Sequence, residues 1–98
     1  MNILICDDNE KDCRYLERLL QNLLEKEHIQ YVIDICSDKS SVLDRILKYN
    51  FLFLDIELQD GNGIDVGICV RKKHPDIHII LTSSFKKLVL CQEKGLIK

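Results

Sequence analysis

The chain has 98 residues, 46% hydrophobic and 31% charged, and its 14 basic and 16 acidic side chains leave a formal net charge of -2. This composition is that of a folded globular domain, not of a disordered tail, and the balance of charge argues against a nucleic-acid surface. The length holds one core and the chain reads as a single unit over 1–98, with no internal repeat, low-complexity segment or linker.

No apolar run approaches the roughly 20 residues needed to cross a bilayer, and the opening MNILICDDN turns acidic before a signal-peptide pattern develops. A cytoplasmic protein with no membrane partner is expected. Five cysteines, Cys6, Cys13, Cys36, Cys69 and Cys91, are scattered singly without a CxxC pair. They read as reduced thiols serving as small, mostly buried apolar residues.

Ile3 to Cys6 is a short apolar run rich in β-branched residues, followed at once by Asp7, Asp8 and Asn9. It reads as a buried strand that ends in an acidic loop. From Lys11 to Lys26, Cys13, Leu16, Leu20, Leu23 and Leu24 recur at helical spacing, and Asn9 with Asp12 offers an N-terminal cap. Tyr31 to Cys36 predicts a second strand, and Asp34 within it implies an edge position with one wet face. Ser40 or Ser41 is expected to cap a second helix running through Leu47.

Phe51 to Ile56 predicts a third strand, apolar on both faces, and Asp60-Gly61-Asn62-Gly63 the turn after it. Ile64 to Lys73 reads as a third helix, stopped by His74 and Pro75. Ile77 to Leu81 predicts a fourth strand, ending in Thr82-Ser83-Ser84, and Phe85 to Lys94 a fourth helix closed by Gly95. Strand and helix alternate four times, with strands buried enough to need cover on both faces. The pattern predicts an α/β fold, a doubly wound parallel sheet with right-handed crossovers.

In such a sheet the residues that follow the strands gather along one edge, where ligands bind. Asp7, Asp8, Asp55 and Thr82 all fall there, and they share one cleft if the first and third strands are neighbours. Three carboxylates about 5 Å apart repel by about 3 kcal/mol per pair at an effective dielectric near 20, so the cluster calls for a cation. Hard oxygen donors select Mg²⁺ over zinc. Asp or Asn after a strand commonly starts a turn or caps a helix, which accounts for Asp8 and Asn9 alone. Asp55 has no such role inside an apolar hexad, where a lone carboxylate is penalised. A calcium-loop reading of DIELQDGNGIDV fails, because counting from Asp55 puts Asp60 at the glycine position and Val66 at the twelfth.

With ILICDDN at the start, FLFLDIELQDGNGIDV in the middle and IHIILTS near the end, the chain resembles the receiver domain of bacterial two-component response regulators over its whole length. The DIEL…NGI form looks most like receivers joined to a LytTR-type DNA-binding domain. The resemblance implies the flavodoxin-like receiver fold with strand order 2-1-3-4-5. It makes Asp55 the acceptor of a phosphoryl group from the phosphohistidine of a sensor histidine kinase. Asp7, Asp8, Asp55 and the backbone carbonyl of Glu57 would hold Mg²⁺, and Thr82 would offer its hydroxyl to a phosphoryl oxygen and report the change. The activity implied is signalling, not enzymatic turnover, with the output in a transcriptional effector domain, so this chain alone is not expected to bind DNA.

The sequence departs from the family pattern at Gln59, where a proline is usual, and in stopping at Lys98, where a fifth strand would begin with a lysine, so that role passes to neither Lys94 nor Lys98. A receiver with four strands and flanking helices, truncated before the fifth strand, leaves Ile77 to Leu81 as an exposed apolar edge. Self-association is therefore expected, as a homodimer or domain-swapped oligomer. Two other readings differ in class. A pseudo-receiver would keep the fold and act by protein contacts without phosphate. A metal-dependent phosphatase would place its nucleophile after the first strand with a second acid two residues on, a spacing that Asp7, Asp8 and Asn9 do not give.

Overall fold

A computed structural model describes residues 1–58, 61–83 and 88–90. In chain order these form β1 (Asn2–Cys6), α1 (Glu10–Lys26), β2 (Val32–Cys36), α2 (Lys39–Arg45) with a tighter turn over Ile46–Lys48, β3 (Phe51–Asp55), β4 (Glu57–Leu58), β5 (Gly61–Asn62), α3 (Gly63–Lys73), β6 (His78–Ser83) and β7 (Leu88–Leu90).

The main sheet has the order β2-β1-β3-β6-β7. Its first four strands are parallel, with Ile3 beside Ile33 and Phe51, and Leu54 beside Leu81. Alternation along β1 sends Ile3 and Ile5 to one face, where Cys13 and Leu24 of α1 cover them with Phe53. Leu4 and Cys6 point to the other, packing with Leu52, Leu54, Ile79, Leu81, Val42 and Ile46 beside α2 and Val66 and Val70 of α3. Cover on both faces explains why the central β1 and β3 are apolar from Ile3 to Cys6 and from Phe51 to Leu54, and each fully buried Leu or Ile contributes about 1.5–3 kcal/mol. The expected doubly wound α/β architecture is present.

The local signals for α1 work as expected: Asn9 is its N-cap, and Asn9 Oδ1 accepts from the Asp12 N–H at 3.1 Å. For α2 the cap is Asp38 and not Ser40 or Ser41; its Oδ1 accepts from the Ser41 N–H at 2.8 Å, and a carboxylate beside the first-turn N–H groups gains from the helix dipole. β2 lies at the sheet edge, as Asp34 implied. There the Tyr49 hydroxyl donates to Asp34 Oδ2 at 2.5 Å and accepts from Arg45 at 3.1 Å.

The larger correction concerns the segment after β6. Within the expected helix of Phe85 to Lys94, residues Leu88–Leu90 are a strand, antiparallel to β6, with Leu81 beside Leu90 and Ser83 beside Leu88. The upper end of the expected open edge is therefore paired. Unmatched N–H and C=O groups along β6 outweigh the helical spacing of a short apolar run. Gln59, Asp60, Ser84, Phe85, Lys94, Gly95 and Lys98, on which other expectations rested, lie outside the described residues. Among the described residues no helix is long and apolar enough to cross a membrane.

Candidate functional site

β1 and β3 are direct neighbours, so Asp7 leaves the sheet beside the end of β3, where Asp55 sits. Ligand oxygens of Asp7, Asp8 and Asp55 all lie within 4.8 Å of one another. Asp55 is 0% exposed and Asp7 is buried, whereas Asp8 is the more accessible of the three. β6 adds Thr82, the register partner of Asp55, and the Thr82 carbonyl accepts from the Ile56 N–H at 2.9 Å. Glu57 follows two residues on. The structure thus brings together all five residues singled out from the sequence: Asp7, Asp8, Asp55, Glu57 and Thr82.

Asp7 and Asp55 are held by main-chain donors. The Asn9 N–H donates to Asp7 Oδ1 at 2.9 Å, and the Glu57 N–H donates to Asp55 Oδ1 at 3.1 Å. Asp55 Oδ2 is buried and accepts no hydrogen bond from any described residue. An unmatched buried carboxylate oxygen costs about 1–3 kcal/mol or more, which a cation or an electrophile at that atom would recover. Burial pushes the Asp55 carboxyl up to about 6; repulsion from Asp7 and Asp8 adds to the rise, and the Glu57 N–H opposes it. The donor set is all oxygen, two of its carboxylates are fixed, and one buried oxygen is unmatched. These residues fit a hard divalent cation with open positions.

Three neighbours of the site were not singled out as part of it. Asn9 read only as a cap, yet its own N–H orients Asp7. The Cys13 thiol donates to the Asp7 carbonyl at 3.2 Å. Gly63 was read as a turn glycine, but a Cβ there would lie 2.0 Å from the Asp55 carbonyl oxygen and 2.7 Å from Ile56 Cα. Its N–H donates to the Ile56 carbonyl at 2.7 Å, so the start of α3 rests directly on the loop that carries Asp55. The β4–β5 hairpin, pairing Glu57 with Asn62 and Leu58 with Gly61, braces the same loop, and Leu58 is buried in the core. No sequence signal short of the closed geometry marks that approach.

Residues 3–94 match the response regulator receiver domain family, and the chain belongs to it. Among curated relatives, it is 38% identical over 73 residues to stress response regulator protein 1 of Candida albicans, covering 72% of this chain and 24% of that protein. It is 33% identical over 84 residues to response regulator ArlR of Staphylococcus epidermidis, covering 84% of this chain and 36% of that protein. The chain therefore spans only a quarter to just over a third of these relatives. Among solved structures, response regulator TrrA from Thermotoga maritima, in complex with Mg²⁺-BeF, is 30% identical with a TM-score of 0.64, over 87% of this chain and 70% of that one.

Proposed function

We propose that Asp55 is the phosphoacceptor of this receiver domain, with a sensor histidine kinase as donor and an attached transcriptional effector as the element it switches. The observation that carries the reading is the buried, unmatched Asp55 Oδ2, within reach of Asp7 and Asp8 at the C-terminal edge of the sheet. With its carboxyl pushed up to about 6, Asp55 is still mostly ionised at pH 7 and available as a nucleophile. Its oxygen attacks phosphorus, the bond from phosphorus to the histidine nitrogen breaks, and the imidazole leaves with the bonding electrons. The Glu57 N–H holds Oδ1, leaving Oδ2 as the attacking atom.

Asp7, Asp8, Asp55 and the backbone carbonyl of Glu57 are the residues that would hold Mg²⁺. When bound, the ion supplies positive charge to the phosphoryl oxygens during transfer. The Mg²⁺-BeF complex of the similar TrrA supports that choice of ion. Thr82, beside Asp55 in register, is the residue whose hydroxyl would contact the phosphoryl group and carry the new charge of about -1.5 to -2 into β6. The chain acts in this reading as one cytoplasmic signalling unit that does not bind DNA itself. Self-association as a homodimer is part of the proposal, supported by Tyr15, Leu19 and Leu23, which are 52%, 48% and 55% exposed along α1.

The test is incubation with Mg²⁺ and a small acyl-phosphate donor, followed by intact mass, for the parent chain and Asp55→Asn. A single phosphoryl adduct on the parent and none on the variant is expected. Mg²⁺ binding without an adduct on either would replace this reading with that of a pseudo-receiver acting through protein contacts.

A further inference from the structure

Cys6 and Cys36 are register partners on the adjacent strands β1 and β2. Both belong to the core cluster under α2, so their side chains leave the sheet on the same face. The Cys6 thiol lies 3.9 Å from the Asp38 carbonyl oxygen, two residues past Cys36, which places it at the β2 end of this face. Neighbouring strands lie about 4.7–4.9 Å apart, inside the roughly 4.4–6.8 Å Cα separation that a disulfide spans. Cys13 is not a competitor of equal standing: it packs on the opposite face of the sheet and donates to the Asp7 carbonyl. Of the pair, Cys6 is 0% exposed and Cys36 is 8% exposed on the edge strand.

From this placement we propose that Cys6 and Cys36 form a peroxide-oxidisable pair whose disulfide weakens the acidic site above it. Cys36, on the edge strand, reacts first. Its sulfur attacks one peroxide oxygen, the O–O bond breaks, and the thiol proton leaves with the departing oxygen as water, giving a sulfenic acid. The Cys6 sulfur then attacks the Cys36 sulfur, the S–O bond breaks, and a second water leaves with the Cys6 proton. Two thiols lose two hydrogens and one hydroperoxide is reduced. Asp7 follows Cys6 directly, and its N–H donates to the Cys36 carbonyl at 3.1 Å. A disulfide prefers a Cα separation of about 5.5–6 Å, slightly more than the strand spacing, so joining the two side chains shifts the strand ends from which the Asp7 carboxylate is aimed. That consequence rests on the metal reading of the acidic site, whereas formation of the bond does not.

The test treats the reduced, folded protein with hydrogen peroxide, alkylates remaining thiols and maps tryptic peptides. Cleavage separates the Cys6 peptide (1–11) from the Cys13 peptide (12–14) and the Cys36 peptide (27–39). The expected result is loss of two hydrogens, one link between 1–11 and 27–39, reversal by dithiothreitol, and no such link in Cys36→Ala. A link through Cys13, Cys69 or Cys91 instead, or sulfinic acid on Cys36 with Cys6 still alkylated, would overturn the pairing; this map of the parent chain decides even if Cys36→Ala does not fold. Mg²⁺ titration of the oxidised against the reduced protein is expected to show affinity weaker by about tenfold, the lower end of what disturbing a ligand's support costs. Equal affinity would refute the coupling. Failure of the reduced protein to bind Mg²⁺ would refute the coupling together with the metal reading, and leave the pairing to the peptide map.

Discussion

Replacing Asp55 with Asn should stabilise the fold at neutral pH while abolishing the proposed acceptor. The folded-state pKa is raised, to about 6 against an ordinary 3.8. Such a group leaves stability intact below its unfolded pKa and lowers it as pH rises through the folded value. Linkage gives a cost of about 3 kcal/mol at pH 7, falling to about 1 kcal/mol at pH 4.5 and to nearly nothing at pH 3. Water reaching the neighbouring Asp8 screens part of this, so a gain of about 1–3 kcal/mol at pH 7 is expected for Asp55→Asn, and about a third of that at pH 4.5. Relief of repulsion on Asp7 and Asp8 has the same sign. Urea unfolding of both proteins across this pH range, without Mg²⁺, reads the difference directly. Added Mg²⁺ should narrow it by stabilising the parent chain, by about 1.4 kcal/mol at ten times its Kd. A variant no more stable than the parent at pH 7, or a gain that does not shrink on acidification, would refute the assignment of Asp55 as a strained buried carboxylate.

Gly63→Ala should cost about 1–3 kcal/mol and weaken Mg²⁺ binding, because the added carbon meets the main chain of Asp55 and Ile56. Gly61→Ala, with open space around it, should stay within about 0.5 kcal/mol in the same urea assay and serves as the control. Asn9→Ala removes the acceptor for the Asp12 N–H and should cost about 1 kcal/mol, measured by thermal unfolding with helicity as the probe. Tyr49→Phe removes the hydroxyl shared by Asp34 and Arg45; a loss of about 0.5–1.5 kcal/mol in denaturant unfolding, with Mg²⁺ affinity unchanged, is expected for a contact far from the acidic edge.

The fold was legible because its periodicities are simple. Strands buried on both faces must be apolar, and Phe51 to Leu54 are, as is Ile77 to Leu81 but for the exposed His78 at its start; the amphipathic stripe of α1 is equally plain. The carboxylate cluster was legible for a different reason. In a parallel sheet, residues after adjacent strands are forced together, so the positions of Asp7, Asp8, Asp55 and Thr82 in the sequence already fix their meeting once the strand order is known. What sequence could not reveal was support that depends on distance. The approach of Gly63 to the Asp55 carbonyl and the Cys13 bond to Asp7 exist only when α3 and α1 have docked. Asp38 displaced Ser40 and Ser41 as a cap because several polar residues in a row can each serve, and only the path of the chain selects one.

The expected C-terminal helix failed where local propensity met an unfilled edge. Leu88, Val89 and Leu90 carry the apolar character that either a helix face or a strand requires, and nothing in that triplet chooses between them. β6 chooses: its C-terminal end offers unpaired backbone groups, and Leu88–Leu90 pair with them as an antiparallel strand. That pairing also bears on the site, since β7 binds the very residues, Leu81 to Ser83, that hold Thr82 beside Asp55. Leu88–Leu90, expected as part of a helix, instead join the strand that carries Thr82, so under the proposed function disturbing β7 acts on Thr82 through the ladder and not through the acidic loop.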